Sequence, residues 1–351
     1  MRIQTDKLKQ AVTLLHTVAG RYNALVMTCL LTLRVRDNTL YLYSTDRANT
    51  LVANIEFEGE CENLDTSIGI EQAFKLIKTL DSEFVDLIIK DNSVIIKSGK
   101  SKYSLKVVLD SQGNPALIAE PTSFCNGAFK ELNIDDKIYS QLSMSLPAED
   151  FVIEIYRNVY FGDCVVVTNS ICASKANTQV FEDEVLLKSK IFSILHNFDS
   201  ISMSNSQAIL KSDMYELYTI HDSSAIDSFH ANELKEMFNA SEYEAEYDIN
   251  EMKNALKRLT AFNPDNITIE FKENSIILEI QDTATEVLDV ISNTFTEFKY
   301  TIDFKIFKKY ISKTVDNKIY FGCDNCIQLG KSDVSHIICA TLEVTLHSAK
   351  G

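Results

Sequence analysis

Two tripeptides of this 351-residue chain, Gly99-Lys100-Ser101 and Gly330-Lys331-Ser332, have the ending of a loop that cradles nucleotide phosphates. Such a loop needs another glycine five residues earlier and a helix after its hydroxyl residue, so that backbone N–H groups converge on the anion. Val94 and Asn325 stand where those glycines belong, and the residues after Ser101 alternate as a strand does. Both tripeptides therefore read as turns. Cys323-Asp324-Asn325-Cys326 is the one CxxC, and zinc would need a second ligand pair nearby. Asp324-Asn325 is itself a good two-residue hairpin turn, which sets the two cysteines opposite each other. The six histidines (16, 196, 221, 230, 336, 347) belong to no HExxH pair, and no GxSxG elbow accompanies them. No catalytic, cofactor or metal set is expected, and the chain reads as a non-enzyme.

Charge is the chemistry that remains. Fifty Asp and Glu against 34 Lys and Arg give a net −16, which at first argues against nucleic acid, because phosphate repels an acidic surface. The charges are not evenly spread. Six segments with helical periodicity (6–21, 70–80, 135–146, 186–198, 248–262 and 303–315) hold 15 basic residues against 7 acidic ones, and all other residues together hold 19 against 43. Lysine is a good helix former, so a single basic helix would mean only a solvated face. The segments 70–80 and 135–146 add little, and the pattern rests on the other four. In 303–315, Lys305, Lys308, Lys309 and Lys313 flank an apolar stripe of Phe304, Phe307 and Ile311. A basic helical layer under an acidic strand layer draws a polyanion to one face and repels it from the rest.

The elements that must position these cations recur along the chain. Alternating residues 28–36 turn at Asp37-Asn38 and return over 39–45; the design recurs around Glu273-Asn274 and, more loosely, as 153–161 turning at Gly162-Asp163 into 164–168. These turns lie roughly 110–125 residues apart. A second hairpin turns at Asp91-Asn92, Asn205-Ser206 and Asp324-Asn325, and a last strand follows each: 103–109, 214–220 and 336–344. A helix precedes each hairpin group. Leu8, Ala11, Val12, Leu15 and Val18 recur at helical spacing, as do Ile70, Ala73, Phe74 and Ile77. Asp248 with Glu251 three residues on marks the start of a third helix. The reading is an α+β chain of three repeated domains with antiparallel sheets, spanning 1–121, 122–241 and 242–351.

Composition bounds the class. Ten Gly and 4 Pro exclude a collagen-like or linker-rich chain, and no apolar run is long enough for a membrane helix. The start is polar, without the apolar core of a signal peptide. The eight cysteines fall mostly in strand-like runs, the pattern of reduced thiols, so a cytoplasmic location is expected.

Three repeats of helix, hairpin, helix, hairpin resemble the sliding clamp that forms the β subunit of bacterial replicative DNA polymerase. The likeness is sharpest at Ile95-Ile96-Lys97-Ser98-Gly99-Lys100-Ser101-Lys102-Tyr103-Ser104-Leu105, near the clamps' Arg-Ser-Gly-Arg-Ser-Arg-Phe-Ser-Leu, and continues at Gly20-Arg21, the clamps' turn after the first helix. The resemblance implies a clamp fold with helices inside and sheets outside. It implies a homodimeric ring around duplex DNA, and contact with polymerase, clamp loader and repair proteins through short peptides. Neighbouring copies would join by strand pairing, expected at 103–109 and near Ser275. A phosphate-holding lining without base contacts lets such a ring stay on DNA and slide. Arg21 matches a DNA-contacting position of the family, and Lys78 and Lys188 fall where it tends to be basic. By charge alone, Lys75, Lys190, Lys253, Lys257, Arg258, Lys305, Lys308, Lys309 and Lys313 join them.

The family's peptide pocket is altered here. Its Thr-Asp-Gly-His-Arg-Leu reads Thr168-Asn169-Ser170-Ile171-Cys172-Ala173, its C-terminal Met-Pro-Met-Arg-Leu reads Leu342-Glu343-Val344-Thr345-Leu346, and its Gly-Arg-Phe-Pro-Asp-Tyr loop is reduced to 223–229 without the proline. The resemblance implies an apolar pocket from Thr168, Ile171, Ala173, Leu342, Val344 and Leu346 with a different peptide preference. The rival reading is a repeated β-rich scaffold that does not encircle DNA.

Overall fold

The computed structural model describes residues 1–20, 26–122, 127–132, 134–148, 151–181, 183–204, 206–221, 225–294, 297–323, 325–331 and 333–340. Among them are seven α-helices: α1 (Thr5–Val18), α2 (Ile70–Lys78), α3 (Asp136–Leu142), α4 (Ser189–Phe192), α5 (Ala231–Met237), α6 (Ile249–Leu259) and α7 (Phe304–Lys313). All the strand pairs are antiparallel, joined into three sheets. The chain folds as two compact units.

The first unit takes Met1–Asn133 and Lys190–His221. Its eight-stranded sheet runs Leu64–Gly69, Leu30–Arg36, Thr39–Thr45, Asn49–Glu56, Tyr215–Ile220, Gln207–Lys211, Ser200–Met203, Lys130–Glu131, and its four-stranded sheet runs Arg2–Gln4, Phe84–Lys90, Ser93–Ser98, Ser101–Lys106. The expected turn at Asp37-Asn38 has both residues left-handed (φ 47° and 60°), the geometry that matches strand twist in a two-residue hairpin. α1 buries Leu8, Ala11, Val12, Leu15 and Val18, the stripe that its spacing predicts.

The second unit takes Ile134–Ser189 and Asp222–Gly351. One twelve-stranded sheet crosses it, in which Cys172–Ala176 pairs with Val334–Cys339. Met252, Leu256 and Leu259 of α6 and Phe307 and Ile311 of α7 share one core with Ile269, Phe271, Leu278 and Phe321. The rings of Phe271 and Phe321 stack at 4.3 Å. Asp248 accepts from the backbone N–H of Asn250 (2.7 Å) and Glu251 (3.2 Å), and Asp303 accepts from that of Ile306 (2.8 Å). These caps start α6 and α7 where the sequence places them.

Three sequence expectations need correction. Residues 186–198 are not one helix: Val185–Lys188 is a strand, α4 is a single turn, and Leu195–Asn197 is a 3-10 turn. Ile191, Phe192, Ile194, Leu195 and Phe198 are all buried, more apolar positions than one helical stripe accounts for, and 185–188 pair with 158–161 instead. Residues 153–161 are a strand only over Asn158–Phe161, because Glu154–Arg157 forms a 3-10 turn. Ser275–Ile280 is not an edge; it is covered by Asn266–Lys272 on one side and Ala284–Asn293 on the other.

Candidate nucleic-acid interface

In the first unit α1 packs against α2. His16 stacks on Phe74 (centroids 4.0 Å, planes 9° apart) and its Nε2 lies 2.7 Å from Glu71 Oε2. Glu71 also accepts from Lys75 Nζ at 2.9 Å, and these hydrogen bonds hold its carboxyl down to about 2. The Lys78 ammonium lies 5.4 Å from the Phe74 ring centre. The polar side of the helix pair thus presents Lys75 and Lys78, both exposed, with the Lys75 charge matched by the ionised Glu71 carboxylate. His16 carries no sequence signal for this role, because its partners lie 55 or more residues away.

The second unit repeats the arrangement with α6 against α7. Lys308 Nζ donates to Thr260 Oγ1 at 2.8 Å, joining the end of one helix to the middle of the other. Lys305, Lys308 and Lys309 line an open depression of about 270 Å³ with Thr260, Asn263, Pro264, Phe304 and Ser312. Lys257, Lys305 and Lys313 are exposed, and none has an ion-pair partner among the described residues. Side chains of this kind attract a phosphate backbone without reading bases.

Several of the candidate cations make contacts within the protein. Lys190 is ion-paired with Asp46, both side chains largely covered. Lys253 Nζ donates to Thr314 O at 3.0 Å and Lys309 Nζ to Met144 O at 2.9 Å, which fastens their helices. Arg258 is held by Glu286. Lys188 ends a strand, not a helix, with its backbone opposite Asn158. Arg21 lies outside the described residues.

No family model matches the sequence, and no curated protein matches it. Solved structures do. The DNA polymerase III β subunit of Thermotoga maritima aligns with TM-score 0.78 over 97% of this chain and 99% of its own, at 13% identity. The chain has the β-clamp fold. The β subunit of Pseudomonas aeruginosa gives TM-score 0.72 at 13% identity over 98% of this chain and all of its own. The Helicobacter pylori β clamp bound to a DNA ligase peptide gives 0.74 at 16% identity, covering 97% of this chain and 99% of that one.

On the β-clamp fold, the residues that the resemblance assigns to a peptide pocket divide. Thr168 is buried and serves a turn: its Oγ1 donates to Cys172 O (3.0 Å) and accepts from the Ser170 N–H (3.1 Å). Asn169 Oδ1 completes that turn through the N–H groups of Ile171 and Cys172, and Ser170 is left-handed at φ 63°. The turn lifts Ile171 into solvent, 48% exposed. Ala173 is buried in a small apolar cluster with Phe238, Cys326 and Ile337, packed by Met237 and Cys339. Phe238 and Met237 are absent from the sequence-based set; they close α5, a helix in the 122–241 segment whose loop departs from the family's pattern. Leu342, Val344 and Leu346 lie outside the described residues. No helix of the described residues is long and apolar enough to cross a membrane.

Proposed function

We propose that this protein is a non-catalytic DNA sliding clamp built of three repeats, 1–121, 122–241 and 242–351, that closes as a homodimer around duplex DNA. The observation that carries the reading is the placement of exposed lysines on paired helices of a β-clamp fold whose remaining residues are strongly acidic. Such a surface holds DNA by counterion release, independently of sequence, and leaves it free to slide.

Closure of the ring needs two sheet edges, and two suit it. Ser101–Lys106 is the outermost strand of the four-stranded sheet and carries Lys102, Tyr103 and Lys106 exposed. Ala284–Asn293 pairs with Ser275–Ile280 along one side, while Tyr243–Tyr247 covers its other side only from Val290 onward. Residues 284–289 therefore offer open hydrogen-bonding groups, with Val287 60% exposed and Asp289 exposed. A basic edge and an acidic edge of similar length favour pairing between two copies. Polymerase, clamp loader and repair proteins are proposed to dock by short peptides on the apolar surface around Ile171 and Ala173; the Helicobacter pylori clamp was solved with such a peptide from DNA ligase.

The test has two parts. Light scattering with small-angle X-ray scattering should give a dimer with a central hole. Protein loaded on nicked circular DNA should be retained at moderate salt and lost once the circle is linearised. A compact monomer at every concentration, with equal retention on both DNA forms, would overturn the ring and favour a β-rich scaffold.

A further inference from the structure

Beyond the lysine surfaces, the second unit holds two thiols in an unusual relationship. Cys326 and Cys339 are register partners on the adjacent strands Cys326–Leu329 and Val334–Cys339, and their sulfurs are 3.3 Å apart. The Cys339 N–H donates away from Cys326, to Ile171 O at 2.9 Å, while the neighbouring Ala340 N–H donates to Asn325 O. Cys326 and Cys339 thus form a non-hydrogen-bonded antiparallel pair, the position where Cα atoms approach to about 4.5 Å. A disulfide spans Cα separations of about 4.4–6.8 Å, so this pair can close without moving either strand.

Reactivity is concentrated at the same place. Cys339 is only half-buried, and the hydrogen bond from the Cys326 thiol holds it below the usual cysteine value. Burial pushes Cys164 up to about 11 and Cys172 up to about 12, which keeps both as inert thiols. The Cys326–Cys339 pair sits in the apolar cluster of Ala173, Ile337 and Phe238, on the opposite face of the sheet from Cys172 and Ile338, which belong to the core under α6 and α7.

We propose that Cys326 and Cys339 form a redox-active dithiol, oxidised reversibly to a cross-strand disulfide by a small-molecule disulfide such as oxidised glutathione. The Cys339 thiolate attacks one sulfur of oxidised glutathione and forms a mixed disulfide with it, while the S–S bond breaks and the other sulfur leaves as glutathione thiolate. The Cys326 thiol then gives up its proton and attacks Cys339 Sγ, expelling the second glutathione. Two protein thiols are oxidised, one glutathione disulfide is reduced to two thiols, and the two protein protons end on the glutathiones. The new bond ties together two strands beside Ile171 and Ala173. Its consequence for a docked peptide rests on the proposed function above, whereas the chemistry does not.

The experiment is thiol mapping of the full chain. After equilibration with oxidised glutathione, the remaining thiols are alkylated and the protein is digested and weighed. The expected result is loss of two alkylatable thiols per chain, a cross-link between the Cys326 and Cys339 peptides, and recovery of both thiols with excess reduced glutathione. In Cys326→Ser, Cys339 should stop at the glutathione adduct, because nothing resolves it. Full alkylation of both thiols in the wild type, or a link from Cys323 to Cys326 instead, would overturn the proposal. Peptide binding measured on the oxidised and reduced forms then tests the pocket separately.

Discussion

Arg258 on α6 grips Glu286 on the strand Ala284–Asn293 at two points, Nε to Oε1 at 2.7 Å and Nη2 to Oε2 at 2.6 Å. The pair raises the pKa of the guanidinium and lowers that of the carboxyl, so both groups stay charged and matched. An arginine so engaged is a poor phosphate ligand, although the residue before it, Lys257, is exposed and unpaired among the described residues. Lys257→Ala should lower the slope of log affinity for duplex DNA against log salt by about 0.9, one phosphate's worth of counterion. Arg258→Ala should leave that slope nearly unchanged and cost little stability, as exposed ion pairs do. Fluorescence titrations of labelled duplex at several salt concentrations compare the two.

Lys190, a DNA-facing candidate by charge alone, makes a structural ion pair. Its ammonium pairs with Asp46, whose carboxylate also accepts from the Asn49 backbone and side-chain nitrogens. Lys190→Ala strands a largely covered carboxylate and should destabilise the first unit by about 1–3 kcal/mol. Urea unfolding reads this loss, and DNA retention by the folded fraction should be unaltered.

The open edge at 284–289 invites a charge test. Val287→Lys places a cation where the partner's Lys102 and Lys106 are proposed to lie, so the dimer should dissociate at protein concentrations where the wild type holds. The side chain is already exposed, so the monomer fold, followed by circular dichroism, should persist. A dimer of undiminished affinity would place the contact elsewhere.

A buried chain of hydrogen bonds runs from Tyr310 through Ser145 and Ser174 to His336 Nδ1, in steps of 2.6, 2.6 and 2.8 Å. Burial lowers the His336 pKa to about 4 from an ordinary 6.5. Between those values the unfolded chain binds a proton that the folded chain refuses, so stability rises with pH across that window. From pH 6.5 down to 4 this one group should remove about 3 kcal/mol, and below that it changes nothing further. Urea midpoints of the wild type between pH 4 and 7 should therefore fall more steeply than those of His336→Gln, whose side chain does not titrate.

What was legible in the sequence was local. The apolar stripe of α1, the Asp248 cap, and the Asp37-Asn38 hairpin each depend on residues within a few positions of one another, and each stands where the sequence puts it. Long-range pairing was not legible. Lys188 reads as helical until Asn158 is seen opposite it, and Ser275 reads as an edge until Ala284–Asn293 folds back over it. The cation surface was partly legible, because charge sorts by segment. Which lysines are committed was not, since Asp46, Thr314 and Met144 approach Lys190, Lys253 and Lys309 only in three dimensions.

The strand pairings Asn49–Glu56 with Tyr215–Ile220, and Cys172–Ala176 with Val334–Cys339, carry a lesson for anyone who would shorten or permute this chain. The segment 122–241, proposed above as one repeat, does not fold as one unit, because it lends its strands to two different sheets. Excised alone, that segment would carry Tyr215–Ile220 and Cys172–Ala176 as raw edges, the state that invites aggregation. Cuts that respect folding therefore fall inside that segment, near 133, 189 and 221, where the chain passes from one compact unit to the other.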